Sequence, residues 1–463
     1  MADTNKRFHI NPYILVILSF IIVILIGSVL LCMPWARTDG QWGWTSYVDQ
    51  LFVAVSATCV TGLSTYETGI AGTLTFPGQL IMLLMIQIGG LGFITVLTFI
   101  LTLFRTKLQF KDRYILSQAV NSTSVADVVK FVRKIILITL TIELIGACAG
   151  LPVFLTMFPD NPGTAIWNCI FTSISAFNNA GFDVIGSTSL VDTAGLVSTL
   201  PTWAYNYLLV YLMILIIFGG LSFLVIIDMF LSKKNPKQWR AFTKIIITMT
   251  ITLLVLGFLV FLFAECFKED NPMTPLDAIF QSVTCRTAGF ASYDQNNMTL
   301  ISKVMSCGLM FIGGSPLSTA GGIKITTIYM ISLAMICYFR GKPVSSFKRV
   351  YSTGMVIKAM SLFLIALGVV LGGFLIVNAF ELNQVYAENT PENIFFEIFS
   401  AFGTTGLTAG ITTKLQLGSK ITLCILMFLG RLGPMTFFQI FQKNLSVQIS
   451  SHYQYVEEDF LIG

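Results

Sequence analysis

Ser56-Ala-Thr-Cys-Val-Thr-Gly62-Leu63, Ser175-Ala-Phe-Asn-Asn-Ala-Gly181-Phe182, Ser282-Val-Thr-Cys-Arg-Thr-Ala-Gly289-Phe290 and Ser400-Ala-Phe-Gly-Thr-Thr-Gly406-Leu407 repeat one pattern: a short amphipathic stretch running into a glycine ahead of an apolar span. The glycines recur at intervals of about 108 to 119 residues, which divides the chain into four internal repeats. A second glycine motif follows each one: Gly89-Gly90-Leu91, Gly219-Gly220-Leu221, Gly313-Gly314-Ser315 and Gly430-Arg431-Leu432. In a hydrophobic chain this pattern predicts one pore lined by four copies of a backbone loop, which is how a polypeptide replaces the hydration shell of a small cation.

Composition agrees with that class. Of 463 residues 55% are hydrophobic and 11% charged, with a mean hydropathy of +0.79, far from a soluble domain. The first apolar run, Ile10 to Met33, is long enough to span a bilayer. It is too long for a signal-peptide core and has no A-x-A exit, so it reads as a retained helix. Similar runs cover roughly 76–104, 131–158, 203–231, 244–267, 298–339, 355–380 and 417–442, making eight membrane segments, two per repeat. The expected architecture is an all-α integral membrane protein of four span–pore-helix–span units around one central pore. The units fall at 1–105; at 106–232, with an interfacial helix before the second repeat; at 233–340, with an intramembrane loop; and at 341–463, with a C-terminal tail.

Charge sets the orientation. Lys6 and Arg7 begin the chain, and basic clusters follow the even-numbered spans: Arg105, Lys107, Lys111 and Arg113, then Lys233, Lys234 and Lys237, then Arg340, Lys342, Lys348 and Arg349. Acids gather in the opposite loops, among them Asp160, Asp183, Asp277, Glu388 and Glu397. The positive-inside rule then puts both termini in the cytoplasm and the glycine loops toward the outer face. Alternation with membrane spans argues against nucleic-acid binding as the use of the basic clusters. The nine cysteines include no C-x-x-C pair, and His9 and His452 lie near opposite ends of the chain, so neither a zinc site nor histidine chemistry is indicated. No His/Asp/Glu or Ser/Lys constellation suggests an intramembrane enzyme.

Between the two spans of each repeat lies a segment too short to cross and too apolar for a surface loop: 47–57, 165–176, 275–283 and 391–401, the last two opening on Pro275 and Pro391. Each reads as a half-length helix that dips inward, its carbonyl end aimed at mid-membrane where it favours a cation. Irregular backbone at that depth is tolerated only when buried or lining a cavity. The glycine that follows is needed because a residue without a side chain readily holds the positive φ that keeps consecutive carbonyls facing one axis. A lone glycine of this kind would read first as a close-packing site. Four at matched positions point to carbonyl loops.

Phe311-Ile-Gly-Gly-Ser-Pro-Leu-Ser-Thr-Ala-Gly-Gly-Ile-Lys-Ile325 sets the third repeat apart, since four glycines and a proline interrupt a span that a helix cannot cross smoothly. A phosphate-binding P-loop is excluded by residue order, because Lys324 follows isoleucine. The segment reads as an intramembrane loop blocking the pore at rest, formed by Gly313, Gly314, Ser315, Pro316, Ser318, Thr319, Gly321, Gly322 and Lys324; a kinked helix is the simpler alternative. Arg431 lies at the matching position of the fourth repeat. A charge inside a span is a functional candidate by default, here as an electrostatic barrier or an anchor for the hydroxyls of Ser315, Ser318 or Thr319. Lys324 could also snorkel to the surface. Arg286 is expected to brace its loop from behind, and Glu143 to be a buried partner of a hydroxyl or a lysine. Thr106 to Lys130 reads as a basic interfacial helix.

The motifs T-G-L, N-A-G-F, R-T-A-G-F and T-T-G-L in this order, followed by G-G-S-P-x-S-T-A-G-G-I-K, resemble the membrane subunit of the Trk/Ktr/HKT superfamily of potassium transporters, most closely the bacterial KtrB type. The resemblance covers the whole chain. It implies a filter at Val60, Thr61 and Gly62, Asn179, Ala180 and Gly181, Thr287, Ala288 and Gly289, and Thr404, Thr405 and Gly406. The interrupted span then corresponds to the family's gate. Also implied are potassium as the substrate, a homodimer, a C-terminus at the dimer interface, and a cytoplasmic KtrA-like RCK/KTN regulatory ring carrying the nucleotide, with no cofactor on this chain itself. The competing reading is a secondary transporter of another cation or solute, for which inverted repeats would be the signature; these repeats run in parallel.

Overall fold

The computed structural model describes residues 12–92, 128–186, 200–231, 236–382 and 390–433. The interfacial segment expected before Lys130, the first two basic residues and the C-terminal tail lie outside these residues. Each repeat begins on an unbroken apolar helix: α1 (Pro12–Leu31), then, in the later repeats, Val128–Met157, Ala241–Glu265 and Thr353–Glu381. All four are long and apolar enough to cross a bilayer.

A half-length helix comes next in each repeat. In the first it is α2 (Tyr47–Cys59), and a short α3 (Gly69–Thr73) leads on to the second span, α4 (Phe76–Leu91). In the second repeat, α5 (Val128–Met157) is followed by the half-helix α6 (Pro162–Phe177) and a span in two pieces, α7 (Thr202–Gly220) and α8 (Phe223–Leu231). The third has α9 (Ala241–Glu265), the half-helix α10 (Pro275–Thr284), and α11 (Leu300–Phe311) separated from α12 (Ile325–Phe339). The fourth has α13 (Thr353–Glu381), the half-helix α14 (Pro391–Gly403) and α15 (Leu417–Leu432). Three half-helices start on a proline behind a polar cap. The side chains of Asn161, Thr274 and Thr390 accept the N–H of Thr164, Asp277 and Asn393, satisfying a donor the helix leaves free.

The repeats close into a ring. Each second span packs on the half-helix of the next repeat: α4 on α6, α7 on α10, α11 on α14, and α15 back on α2. The half-helices are consequently buried on nearly all sides, whereas the spans turn large apolar side chains outward, among them Leu144, Phe263 and Leu364. Exposure of such residues suits a surface that meets hydrocarbon rather than water.

The sequence singled out one interrupted span. The structure breaks or ends the second span in every repeat at the same point. α4 stops at Leu91 with Gly92 at φ 81°, α7 parts from α8 at Leu221 and Ser222, α11 stops at Phe311, and α15 ends before Gly433 at φ 80°. Between described helices, the third break, from Phe311 to Ile325, is far longer than the second, at Leu221 and Ser222. The second glycine motif has a packing reason in three repeats. A Cβ on Gly89, Gly219 or Gly430 would fall on the carbonyl oxygen of Thr58, Phe177 or Phe402, at the end of the half-helix of the same repeat. The glycine lets the span lie directly against that helix end.

Candidate functional site

Each half-helix unwinds through a left-handed residue. Val60, Asn179, Thr287 and Thr404 have φ of 59°, 59°, 66° and 49°, and two residues on stand Gly62, Gly181, Gly289 and Gly406 at 105°, 69°, 81° and 92°. The glycine conformation was legible in the sequence; the strained first position was not, because three of its four occupants are β-branched and positive φ is rare for them. Such strain persists only where the surroundings over-determine it. In the first and fourth repeats a serine of the half-helix does so. The Ser56 carbonyl accepts the Thr61 N–H at 2.8 Å and its hydroxyl the Gly62 N–H at 3.1 Å; Ser400 does the same for Thr405 and Gly406 at 2.9 and 3.0 Å. In the second repeat Ser175 accepts from Ala180 at 2.8 Å and Phe182 at 3.1 Å.

The third repeat carries one more residue, Arg286, between serine and glycine, and its clamp differs. Ser282 Oγ donates to the Leu254 carbonyl at 2.8 Å on α9, and Thr284 Oγ1 to the Phe290 carbonyl at 2.6 Å across the loop. Arg286 is buried and lines a small pocket with Ile216, Gly220 and Thr250, between α7 and α9. Its Nε is buried there without a hydrogen-bond partner. The clamping serines are residues that sequence reasoning passed over, although a serine six positions before each glycine in three repeats was the available signal.

The four loops meet. A Cβ on Gly62 would approach the Ala180 carbonyl oxygen to 2.7 Å, and one on Gly181 would approach that of Ala288 to 2.6 Å. One on Gly289 would fall on the Thr405 carbonyl, and one on Gly406 on the Thr61 carbonyl. The contacts therefore run from the first repeat to the second, third and fourth and back to the first, around a single axis. The N–H groups of Thr61, Gly62, Ala180, Ala288, Thr405 and Gly406 are taken up by their own half-helices. The hydroxyls of Thr58, Thr61, Thr404 and Thr405 are buried there without a hydrogen-bond partner.

Residues 312–324 form a tight non-helical loop packed against one side of this ring. Ile312 pairs with Ile323, and Gly313 lies so close to Gly321 and Gly322 that no side chain fits between them. Gly321 abuts the Thr404 side chain at the start of the fourth glycine loop. The loop reaches across to the second repeat, where the N–H of Ser315 and of Thr319 donate to the carbonyls of Gly220 and Gly219 at 3.2 and 3.3 Å. Thr319 Oγ1 adds bonds to Gly219 and Phe177 carbonyls at 2.9 and 3.2 Å. On the other side the Gly322 N–H donates to the Gly430 carbonyl at 3.2 Å. Ser318 closes locally onto the Ser315 carbonyl at 2.7 Å, and Lys324 turns back to the Ala320 carbonyl at 2.6 Å. Pro316 sits between these anchored ends, ahead of the left-handed Leu317.

Arg431 does not hold a hydroxyl of this loop, as the sequence led us to expect. Its guanidinium donates to the backbone carbonyl of Thr319 and, on its other side, to those of Gly89 and Gly90, the latter at 3.0 Å. The broken span exposes carbonyls that its helix no longer uses, and a planar fork of donors can join two such groups. Glu143 likewise differs from expectation: its partners are two side-chain amides, Asn178 at 2.9 Å and Gln87 at 3.2 Å, which tie α5 to the end of α6 and to α4.

A closed ring of four repeats, built of spans and re-entrant half-helices, defines a multi-pass membrane transporter of ions and not an enzyme. The chain belongs to the TrkH family of cation transport proteins, whose family model matches residues 4–453. It is 34% identical to the potassium/sodium uptake protein NtpJ of Enterococcus hirae, over 99% of this chain and 98% of that one. It is also 34% identical to Ktr system potassium uptake protein B of Bacillus subtilis, over 95% of each. The solved potassium transporter TrkH from Vibrio parahaemolyticus shares the fold, with a TM-score of 0.68 over 96% of this chain and 87% of that one, at 17% identity.

Proposed function

We propose that this chain is the potassium-translocating membrane subunit of a Ktr-type uptake system. In this reading ions pass in single file through the carbonyls of residues 60–62, 179–181, 287–289 and 404–406. The observation that carries it is the cyclic contact of the four glycines, each against the carbonyl preceding the next repeat's glycine. Buried hydroxyls without partners at Thr61, Thr404 and Thr405 support it further, since an unsatisfied polar group at such a place calls for a ligand. The loop 312–324 is the gate in its closed position, with Arg431 and Lys324 as part of it. The four stretches 1–105, 106–232, 233–340 and 341–463 each supply one wall of the pore.

Relatives named as Ktr system proteins support a second, regulatory component, which we assign as a cytoplasmic RCK/KTN ring that carries the nucleotide. A homodimer in the cell membrane with both termini cytoplasmic completes the assembly. The Enterococcus relative is named for potassium and sodium together, so sodium is the ion against which selectivity has to be measured.

Radioactive rubidium and sodium uptake in a bacterium lacking its own potassium uptake tests this. The chain should restore rubidium uptake, and Gly62→Ser, Gly181→Ser, Gly289→Ser and Gly406→Ser should each lower the preference for potassium over sodium in a chain that still reaches the membrane. Unchanged discrimination in all four would remove the carbonyl filter from the proposal.

A further inference from the structure

On the surface of the second repeat, away from the ring axis, α5 and the two pieces of the broken span, α7 and α8, leave a groove of about 450 Å³. Leu215 and Ile226 are its buried floor, and Leu137, Ile145, Ile214 and Phe230 are exposed along its edges. From Leu137 to Ala149 it follows α5 for about 18 Å, at 1.5 Å per residue. Two of the few polar side chains in the lining have turned inward to the backbone. Thr141 Oγ1 donates to the Leu137 carbonyl at 2.7 Å, and Tyr207 to the Ala149 carbonyl at 2.9 Å. A long, narrow, apolar groove within membrane spans suits a hydrocarbon chain rather than any polar solute.

One end of the groove is cationic. Arg133 precedes Leu137 by one helical turn, and Lys134 precedes Ile138 and Thr141 by one and two turns, so both cations share the groove's face of α5. Both are exposed, and no acid stands in the first turn of that helix. Helical side chains lean toward the N-terminus, which carries these charges beyond the apolar lining to headgroup level. The carboxylate of Glu143 on α5 is buried and bonded to Gln87 and Asn178.

We infer that this groove is a site for an anionic phospholipid, one acyl chain lying along α5 and α7 and the phosphate resting on Arg133 and Lys134. Because the groove spans both sides of the break between α7 and α8, the bound chain braces the carbonyls of Gly219 and Gly220, to which the loop 312–324 is hydrogen-bonded. Binding depends only on the chain's place in a bilayer and not on which ion it carries.

The test is photolabelling of the full chain in nanodiscs, with phosphatidylglycerol or phosphatidylcholine bearing a photoreactive group in one acyl chain and labelled residues mapped by mass spectrometry. Labels should concentrate on residues 137–149 and 207–218. Phosphatidylglycerol should be favoured by about fivefold for each cation engaged, the equivalent of ~1 kcal/mol per basic residue at a membrane surface. Arg133→Gln with Lys134→Gln should abolish the headgroup preference and leave acyl labelling, whereas Thr141→Trp or Ile214→Trp, at exposed lining positions, should remove labelling by both lipids. Even labelling across the exposed faces of α9 and α13, or a headgroup preference that survives the double charge removal, overturns the site. So does a disulfide between two copies carrying Ile145→Cys, which would make the groove a contact between protomers.

Discussion

Serine and arginine do the local work at this site, and substitution can separate their roles. Ser56 and Ser400 each fix a glycine N–H of their own loop, whereas Ser282 reaches sideways to the Leu254 carbonyl and leaves its loop to Thr284. Leaving a buried donor unsatisfied costs about 1–3 kcal/mol, and in the first two cases that donor belongs to the loop. Ser56→Ala and Ser400→Ala should therefore reduce discrimination between potassium and sodium in competition uptake. Ser282→Ala should lower the melting temperature of the purified chain while leaving discrimination as it was. Arg431 differs because its bonds join two parts of the backbone, Thr319 on one side and Gly89 with Gly90 on the other. Hydrogen bonds from a charged group contribute about 1.5–3 kcal/mol each. Arg431→Ala should raise rubidium flux in the absence of a regulatory partner, and Arg431→Lys should fall between, since one ammonium cannot reproduce a planar fork.

Helices and breaks were legible to different degrees. The eight spans could be read from length and apolarity, and the half-helices from being too short to cross. The glycine after each half-helix announced its positive φ. The helix ends at Leu91 and Leu432 and the break at Leu221 were hidden, since a glycine inside an apolar run also reads as close packing, and here it does both: Gly89 and Gly430 pack on a helix end two residues before their own helix stops. Neither the Arg431 carbonyl contacts nor the amide partners of Glu143 could be found in one dimension, because their partners lie in other repeats or, for Asn178, 35 residues along the chain. The loop 312–324 is the element whose length announced it, and its anchorage yields a graded test. Thr319→Val removes one neutral hydroxyl donor, which the carbonyls of Gly219 and Phe177 share. At about 1 kcal/mol this should favour release of the loop by about fivefold. Deleting residues 316–320 should go further, raising flux and uncoupling it from the regulatory partner. Selectivity should hardly move, since the filter loops are clamped by their own half-helices. A shortened chain that assembles yet conducts no faster would reduce the loop to a packing feature.

At the scale of the molecule the pore exists only if the first and last repeats meet. Three seams of the ring join repeats consecutive in the chain, while the fourth, α15 against α2, brings together residues hundreds of positions apart. An ion pair lies on this seam: Lys420 Nζ stands 2.7 Å from Asp49 Oδ1, both side chains partly shielded, at the start of α15 and the first turn of α2. Asp49 also lies in the first turn of the half-helix whose other end leads into Val60 and Gly62. Desolvation offsets part of the gain from a partly shielded pair, but loss of either partner leaves the other charge under-solvated. Asp49→Asn and Lys420→Met should each lower the melting temperature and the rubidium uptake of the purified and reconstituted chain. The double variant should be less impaired than the sum of the two, with the coupling measured by a double-mutant cycle. The reversed pair, Asp49→Lys with Lys420→Asp, should recover much of the stability, but less of the transport, because a cation in the first turn of α2 opposes the dipole of the half-helix that leads into Val60 and Gly62. Additive losses in the double variant would mean that the seam is closed by apolar packing between α15 and α2 alone.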